Sequence, residues 1–229
     1  MADIADELKS AKFAESARLL YMKDIRTLSL EQLKEYFVTL GEKPFRAKQV
    51  YDWLWSKNLH SIDEMTNLSK ELREKISQEF TINPISVDLL QKSKDGTIKN
   101  GVKLHDGLLV ESVLIPTESR TTACVSSQVG CKMNCKFCMT GKQGFTANLT
   151  ANQILNQIYS IPEREKLTNL VFMGMGEPFD NLDEVLKVLE ILTSEYGYGW
   201  SPKRITVSSV GLKKGLERFL NESDCHLAI

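Results

Sequence analysis

Three cysteines lie within eight residues of this chain, at Cys131, Cys135 and Cys138, and Phe137 directly precedes the last of them. Thiolates spaced C-x3-C-x2-C can converge on one metal centre without help from distant segments of the chain. A structural zinc site needs four ligands, usually completed by a second pair of cysteines or histidines. No such pair follows. Three cysteines without an obvious fourth suit a four-iron cluster in which one iron stays open to a small molecule.

The composition favours a cytoplasmic protein that does not enter a membrane. Five cysteines is an odd number, and three of them share one loop, which fits a reducing compartment better than a secreted disulfide framework. No apolar run approaches the roughly 18–20 residues of a membrane span. The acidic start of the chain lacks the apolar region of a signal peptide. The net charge of −1 gives no general attraction to nucleic acid, so an RNA partner would need local basic patches.

The N-terminal segment, residues 1–84, has a helical pattern. Residues 1–25 predict a short helix or a frayed tail. Ser29 and Gln32 form a capping-box pattern ahead of apolar residues at helical spacing, and Pro44 suits the first turn of an aromatic-rich helix. We therefore expect a small all-helical domain. Three basic residues surround the aromatic helix and could form either a solvated face, which the pattern alone favours, or a phosphate-contacting patch: Arg46, Lys48 and Lys57.

Residues 85–116 change to a period close to two. Turn signals at Asp95-Gly96, Asn100-Gly101 and Asp106-Gly107 separate short segments, which predicts an antiparallel β-hairpin segment linking two domains. Glu111 interrupts the last apolar run. The pattern alone favours a carboxylate that faces water, and the alternative is a titratable group at the mouth of a site.

Beyond Pro116 the pattern alternates between strands and helices with short connections. This alternation predicts an α/β domain over residues 117–229 with a parallel sheet and right-handed crossovers. The predicted strands are 121–126, 170–173, 205–208 and 226–229, and the predicted helices begin near Thr150, Leu182 and Leu212. The chain stops within the fourth strand, so we expect this sequence to belong to a longer protein.

Candidate ligand-binding features follow the first three of these strands. In parallel α/β folds, ligands gather at the carboxyl ends of the strands. The cysteine loop follows the first strand, Gly174–Pro178 follows the second, and Ser208-Ser209 ends the third. Gly174 and Gly176 would let the backbone approach a ligand closely, and Glu177 offers an acceptor for an ammonium or a ribose hydroxyl. One cofactor bridging the three features is a reasonable expectation.

The cysteine spacing, with its aromatic residue before the last cysteine, resembles that of the radical S-adenosylmethionine (SAM) enzymes. Three further stretches narrow the resemblance. Thr122–Cys131, Gly144-Phe145 and Gly174–Pro178 are similar to the RlmN group of RNA adenine C2-methyltransferases. Pro44–Val50 resembles the N-terminal accessory domain of that group. The resemblance extends over nearly all of the chain.

The resemblance implies a fold and a set of cofactor ligands. The fold would be a partial radical SAM (βα)n barrel with about its first four strands present, preceded by an RNA-contacting accessory domain. One [4Fe-4S] cluster per chain would chelate SAM through its open iron. The residues implied as cluster ligands are Cys131, Cys135 and Cys138, and those implied as lining the SAM pocket are Gly176, Glu177 and Ser208.

The resemblance also implies the chemistry. In this family a 5′-deoxyadenosyl radical takes hydrogen from a methylated cysteine near the C-terminus, and the resulting carbon radical adds to adenine C2. Glu111 matches the proposed proton acceptor, and Cys124 matches the thiol that resolves the protein–RNA adduct through a disulfide. The methyl-carrying cysteine is expected beyond residue 229. Cys225 is not its substitute, because apolar neighbours favour a core thiol there, so we expect the 229-residue chain alone not to complete methyl transfer.

The implied partners are 23S rRNA and tRNA, with a flavodoxin-type electron donor, and we expect a monomer. Three alternatives stay open. The nearest is a Cfr-type enzyme that methylates adenine C8 with the same cluster and cysteines. From another class, the cysteine loop could be a zinc knuckle in an RNA-binding module. A protein that uses the cluster only for electron transfer would normally need four protein ligands.

Overall fold

The computed structural model describes residues 22–57, 59, 61–83, 85–161 and 166–229 of the chain. The chain divides into two compact units, Met1–Pro84 and Ile85–Ile229. Most of the tail or helix predicted over residues 1–25 lies outside the described residues. The two units are described separately below.

The first unit contains three α-helices and one pair of very short strands among its described residues. The helices are α1 (Leu30–Thr39), α2 (Phe45–Trp55) and α3 (Lys70–Glu79), and the 3₁₀ turns are Ile25–Thr27 and Ile62–Glu64. Strands β1 (Lys23–Asp24) and β2 (Phe80–Thr81) pair in parallel. The prediction of an all-helical unit is therefore wrong in this detail, because two residues are too few to show a strand period.

The predicted capping box at the start of α1 is confirmed. The backbone N–H of Gln32 donates to Ser29 Oγ at 3.2 Å, and the backbone N–H of Ser29 donates to Gln32 Oε1 at 2.9 Å. Two backbone donors that the helix leaves unpaired are thus satisfied. Leu33 and Phe37 then fall on the buried side of the helix.

A buried ion pair joins the first and last segments of the first unit that the structure describes. Arg26 Nη2 lies 2.7 Å from Asp24 Oδ2, and both side chains are almost fully buried. The backbone N–H of Asn83 donates to the same carboxylate oxygen at 2.9 Å, and Arg26 Nη2 donates to the Asn83 carbonyl at 2.8 Å. These bonds satisfy charges that would otherwise be costly to bury. They hold the chain where β1 and β2 pair.

Two of the three basic residues around α2 form ion pairs within the unit. Arg46 lies 3.6 Å from Glu42, and Lys57 lies 3.4 Å from Asp52. Each cation also lies over an aromatic ring, at 5.1 and 4.1 Å from the ring centroid. Ion pairs of this exposed kind contribute little to stability. Their geometry is that of a solvated helix face, the interpretation that the sequence pattern favoured.

The second unit is built on a seven-stranded mixed sheet with the strand order β11-β10-β9-β6-β5-β4-β3. Strands β6, β9, β10 and β11 are parallel to one another, and β5, β4 and β3 continue the sheet in antiparallel fashion. The bounds of the sheet strands are β3 Ser86–Lys92, β4 Ile98–Lys103, β5 Leu109–Pro116, β6 Thr121–Cys124, β9 Asn169–Phe172, β10 Ile205–Ser208 and β11 His226–Ala228.

Within the described part of this unit, four α-helices connect or flank these strands: α4 (Met139–Gln143), α5 (Ala151–Tyr159), α6 (Leu182–Thr193) and α7 (Lys213–Glu222). Two 3₁₀ turns precede α6 and β10, at Pro178–Asn181 and Pro202–Arg204. The predicted alternation of strands and helices with a parallel sheet is confirmed. The segment 85–116 is antiparallel as expected, but β5 pairs with β6, so the segment is an extension of this sheet rather than a separate linker.

A second, two-stranded sheet brackets the cysteine loop. Strand β7 (Gln128–Gly130) pairs antiparallel with β8 (Phe145–Asn148), and the cysteines lie between them. Neither strand was predicted from the sequence, since segments of three or four residues are too short to show a clear alternation.

The two faces of the parallel strands differ in burial. Leu170 and Phe172 of β9 are buried on one face, whereas Asn169 and Val171 on the other are only half-buried. Ile205 and Val207 of β10 extend the buried face. The apolar sides of α5 and α6 are buried as well and complete the core. The opposite face of the sheet is the more accessible one.

Within the described residues, no helix has the length and apolar character needed to cross a bilayer.

We expect replacement of Asp24 by alanine to destabilise the first unit strongly. Asp24→Ala removes the carboxylate that lies 2.7 Å from the buried guanidinium of Arg26, and breaking such a buried pair typically costs about 3–5 kcal/mol. Ser29→Ala removes only the helix cap and should cost about 1 kcal/mol. Denaturant unfolding followed by fluorescence measures both, because two of the three tryptophans, Trp53 and Trp55, lie in this unit. Equal losses in the two variants would contradict the importance of the ion pair.

Candidate active site

Three connections meet at the carboxyl edge of the parallel strands, as the sequence pattern predicted. The cysteine loop and β7 follow β6, the glycine-rich turn 174–177 follows β9, and residues 209–211 follow β10. Hydrogen bonds join the first two directly, because the backbone N–H groups of Ser127 and Gln128 both donate to the Met175 carbonyl, at 2.9 and 3.2 Å.

The strand register places Glu111, Cys124 and Ser208 on one face of the sheet. Cys124 pairs with Val113 of β5 and with Val171 of β9. Glu111 is two residues from Val113 and therefore projects to the same face, since side chains alternate along a strand. The β9–β10 register gives Ser208 that face too. This is the more accessible face of the sheet.

Glu111 is accessible and ion-paired. Its Oε1 lies 2.6 Å from Lys99 Nζ on the neighbouring strand, and both side chains are about half exposed. Its backbone carbonyl accepts a hydrogen bond from Ser126 Oγ at 2.6 Å. The carboxylate thus faces solvent, as the pattern favoured. The backbone of Glu111 is hydrogen-bonded to Ser126, in the segment that leads to the cysteines.

Cys124 is a buried thiol at the end of β6. Burial raises the pKa of this thiol, and a hydrogen bond from the Met173 backbone opposes the shift. Desolvation disfavours the thiolate, so the group remains neutral at neutral pH.

Ser126 forms hydrogen bonds to several elements near the site. Its backbone N–H donates to Gln157 Oε1 and its carbonyl accepts from Gln157 Nε2, both at 2.9 Å. Its Oγ donates to the Glu111 carbonyl and accepts from the Met175 N–H at 2.8 Å. One fully buried serine thereby joins β5, α5 and the turn after β9.

Gln128, two residues further along the chain, makes a similar set of connections. Its Oε1 accepts from the backbone N–H of Glu177 at 2.8 Å, and its Nε2 donates to Asn148 Oδ1 at 2.8 Å and to Asp180 Oδ2 at 2.7 Å. The side chain is fully buried, and these bonds use both of its amide hydrogens. Strands β7 and β8 are thus attached to the glycine-rich turn.

The carboxylate of Glu177 accepts hydrogen bonds from within the protein, which the sequence did not suggest. Only 3% of the residue is exposed. Its Oε1 accepts from the Phe179 N–H at 2.9 Å and from Ser209 Oγ at 2.6 Å, and its Oε2 accepts from the Val210 N–H at 3.0 Å. A carboxylate has about four acceptor positions, so one remains for a further donor. The carboxylate also caps the 3₁₀ turn that begins at Pro178.

The two glycines of the turn are required by contacts within the protein. Gly176 has a φ of +102°, and a Cβ there would lie 2.6 Å from Gln128 Cβ. A Cβ on Gly174 would lie 2.7 Å from both Ser126 Oγ and the Val125 carbonyl. The sequence pattern suggested that these glycines admit a ligand. The structure shows that they also let the turn pack against residues 125–128.

The base of the cysteine loop is closed by a further pair of glycines. Gly130 has a φ of +79°, and a Cβ there would lie 1.9 Å from the Gly144 carbonyl, so no other residue fits. The backbone N–H of Cys131 donates to that carbonyl at 2.9 Å. The loop leaves and re-enters the fold at one point. Phe137, beside the last cysteine, is 92% exposed.

The three thiols of this loop suit a cluster that binds through thiolates. The N–H of Met133 donates to Cys131 Sγ at 3.5 Å, and burial chiefly raises the pKa of Cys131, with the charges of Glu177, Cys138 and Cys135 adding to the increase. As thiolates the three would repel one another, and a positively charged iron centre would offset this repulsion. Among the described residues, no three metal-ligating side chains are already gathered around a point.

Lys132 reinforces the connection between the loop and the turn. Its Nζ lies 2.8 Å from Asp180 Oδ2, the same oxygen to which Gln128 donates, and 4.2 Å from the centroid of the Phe145 ring. The ion pair is partly exposed, so its contribution is smaller than that of the buried amide.

Comparison with known proteins first defines the class. The radical SAM superfamily profile matches residues 125–226, the range that holds the cysteine loop and the glycine-rich turn. A crystal structure of a radical SAM methyltransferase from Sphaerobacter thermophilus is similar, with a TM-score of 0.80 and 36% identity over 90% of this chain and 62% of that one. The second unit therefore has the radical SAM fold.

The first unit defines the family. Residues 23–82 match the profile described as the ribosomal RNA large subunit methyltransferase N-terminal domain. Proteins named probable dual-specificity RNA methyltransferase RlmN are 68% identical in Phocaeicola vulgatus and 53% identical in Christiangramia forsetii. These alignments cover 88% and 87% of this chain and 58% of each relative, so the chain spans somewhat more than half of their length. The chain belongs to the RlmN family of radical SAM proteins.

The hydrogen-bonding roles of three residues that organise the site were not predicted from the sequence. Ser126 and Gln128 were not singled out, and Ser209 was noted only as the end of the third strand. Their roles depend on partners 15 to 49 residues away. The one available signal was their position at the ends of predicted parallel strands. The structure brings together the features that follow the first three parallel strands, as predicted, and adds these polar residues between them.

We expect Gly176→Ala to destabilise the second unit more than Gly199→Ala. Both glycines have positive φ, at +102° and +64°, but a Cβ at Gly199 would meet nothing within 4 Å. Backbone strain alone costs about 1–2 kcal/mol, and overpacking against Gln128 should add about 1–3 kcal/mol. Chemical denaturation of the two variants measures the difference. Equal stability losses would show that the turn does not pack closely on Gln128.

Proposed function

We propose that the whole protein is a radical SAM methyltransferase that methylates C2 of an adenine in RNA. One observation carries the proposal: hydrogen bonds from Ser126–Gln128 join the cysteine loop to the glycine-rich turn, beside a sheet face that presents Glu111 and Cys124. Cluster, SAM and the groups that act on the base would therefore share one side of the sheet. Family membership supports the same activity.

The cofactor ligands follow from this arrangement. Cys131, Cys135 and Cys138 would hold one [4Fe-4S] cluster, whose fourth iron is left for SAM. When bound, this pair of cofactors supplies one-electron reductive chemistry that no side chain provides. Gly176 and Ser208 would line the SAM site, and Glu177 would use its remaining acceptor position for the SAM amino group.

Two side chains on the accessible face would act on the base. Glu111 would accept the proton from C2, and its exposure leaves it within reach of a substrate in solution. The ion pair with Lys99 holds the Glu111 carboxylate in position on this face of the sheet. Cys124 would resolve the protein–RNA adduct by attacking the sulfur of the methyl-carrying cysteine. A disulfide would form as the carbon–sulfur bond to the base breaks, and the released carbon would take up a proton to become the methyl group. Because burial holds this thiol neutral, it must lose its proton before it can act as a nucleophile.

The proposed substrates are 23S rRNA and tRNA. The relatives' description as dual-specificity RNA methyltransferases supports both, and the match of the first unit to a ribosomal RNA methyltransferase domain supports RNA contact there. Lys48 on the exposed side of α2 is available for a phosphate, whereas Arg46 and Lys57 would first exchange their carboxylate partners. We further propose a flavodoxin-type electron donor, a monomer and a cytoplasmic location.

The experiment is anaerobic reconstitution of the whole protein with iron and sulfide, followed by turnover with SAM, reductant and RNA. We expect a brown protein with about four irons per chain and, in the RNA digest, methyladenosine whose methyl group mass spectrometry assigns to C2. Cys135→Ala should lose both the iron and the product, because the cluster loses one of its three ligands.

Cys225→Ala is the matched control. It removes another partly buried thiol of the same unit, outside the cysteine loop, and should retain iron and product. A colourless protein loaded with zinc would contradict the radical mechanism. Product methylated at C8 would instead assign the protein to the Cfr-type activity.

A further inference from the structure

Ser209 joins the ends of three elements at the proposed SAM site. Its backbone N–H donates to the Ala228 carbonyl of β11 at 3.0 Å. Its Oγ lies 2.6 Å from Glu177 Oε1 and 3.0 Å from the backbone nitrogen of Gly211. The residue is 6% exposed, so water does not compete effectively for these contacts.

The direction of the Ser209 hydroxyl proton follows from its partners. A hydroxyl has one hydrogen to donate and two lone pairs to accept with. Gly211 offers an N–H, so Ser209 Oγ must accept there. Glu177 offers a carboxylate oxygen, which only accepts, so the hydroxyl proton must point to Glu177 Oε1. The contact is therefore a charge-assisted hydrogen bond, roughly twice as strong as a neutral one.

We propose that Ser209 is a positioning residue that fixes the orientation of the Glu177 carboxylate for SAM; this inference rests on the function proposed above. The other two described donors to that carboxylate, at Phe179 and Val210, are backbone N–H groups. Ser209 thus supplies its one side-chain donor among the described contacts. Glu177 follows β9 and Ser209 follows β10, so the bond also sets the distance between the two strand ends.

The competing interpretation is that Ser209 only stabilises the turn at Gly211. That role predicts a loss of stability in Ser209→Ala, with unchanged SAM affinity of the protein that remains folded. A positioning role predicts weaker SAM binding at temperatures where the variant is fully folded. The two interpretations therefore differ in a binding measurement and not only in stability.

The chain provides a matched control in Ser223. Its Oγ accepts the backbone N–H of Cys225 at 3.1 Å, the same two-residue turn that Ser209 makes with Gly211. Ser223 precedes β11 and therefore lies toward the amino end of the strands, away from the carboxyl edge where Glu177 lies. Ser223→Ala removes a turn hydrogen bond of equal kind without touching the carboxylate.

The experiment measures SAM binding by equilibrium dialysis to the whole protein with its reconstituted cluster, alongside thermal unfolding of the same samples. We expect Ser209→Ala to weaken SAM binding about tenfold, because the Glu177 side chain gains freedom to rotate away. Ser209→Thr keeps the hydroxyl and should bind within about twofold of the parent. Ser223→Ala should bind SAM as the parent does.

A double variant tests whether Ser209 acts on SAM binding through Glu177. If Ser209 acts through Glu177, then Ser209→Ala should weaken binding little further in a Glu177→Gln background, since coupled residues are not additive. Parent-like SAM affinity of Ser209→Ala would overturn the inference, and so would additive losses in the double variant. Absence of SAM binding by the parent would overturn the proposed function itself, an outcome that the parent sample alone reveals.

Discussion

The hydrogen bonds between residues 126–128 and 175–177 are the constraint on which the rest of the site depends. Two backbone N–H groups share the Met175 carbonyl, Ser126 Oγ accepts the Met175 N–H, and Gln128 Oε1 accepts the Glu177 N–H. These segments leave the ends of β6 and β9, which are neighbours in the sheet. Because buried polar groups are costly without partners, neither segment can move without the other. These hydrogen bonds to the turn therefore fix the position of the cysteine loop.

Satisfied polar groups and glycines have complementary roles at this edge. Gly174 and Gly176 bring the turn close enough to Ser126 and Gln128 for their hydrogen bonds to form. The side chains of Ser126 and Gln128 are fully buried, so water does not reach their hydrogen bonds to the turn. Glu111, on the accessible face of the sheet, is about half exposed, whereas Glu177 is buried. The two carboxylates thus differ in environment, since Glu111 is open to solvent and Glu177 is held in place by hydrogen bonds.

The sequence predicted most of the regular structure and less of the site. Local periodicity and turn chemistry predicted three features correctly: the alternation of strands and helices after Pro116, the capping box at Ser29, and the position of the cysteine loop at a strand end. Strands β1, β2, β7 and β8 were missed because two to four residues give no readable period. The partners of Gln128 and Ser209 were missed for another reason, since a polar side chain does not reveal in sequence which distant group it will meet. The glycines of the turn were noticed, but their close packing against Ser126 and Gln128 was not predicted.

Amide hydrogen exchange on the parent protein and on Gln128→Leu tests most directly whether the loop and the turn form one unit. Leucine keeps the bulk of the side chain but removes the bonds to Glu177, Asn148 and Asp180. We predict that exchange accelerates together in residues 126–131 and 174–181, while the β3–β4 strands stay protected, because cooperative units open as a whole. Acceleration confined to residues 126–131, with 174–181 unchanged, would contradict the account.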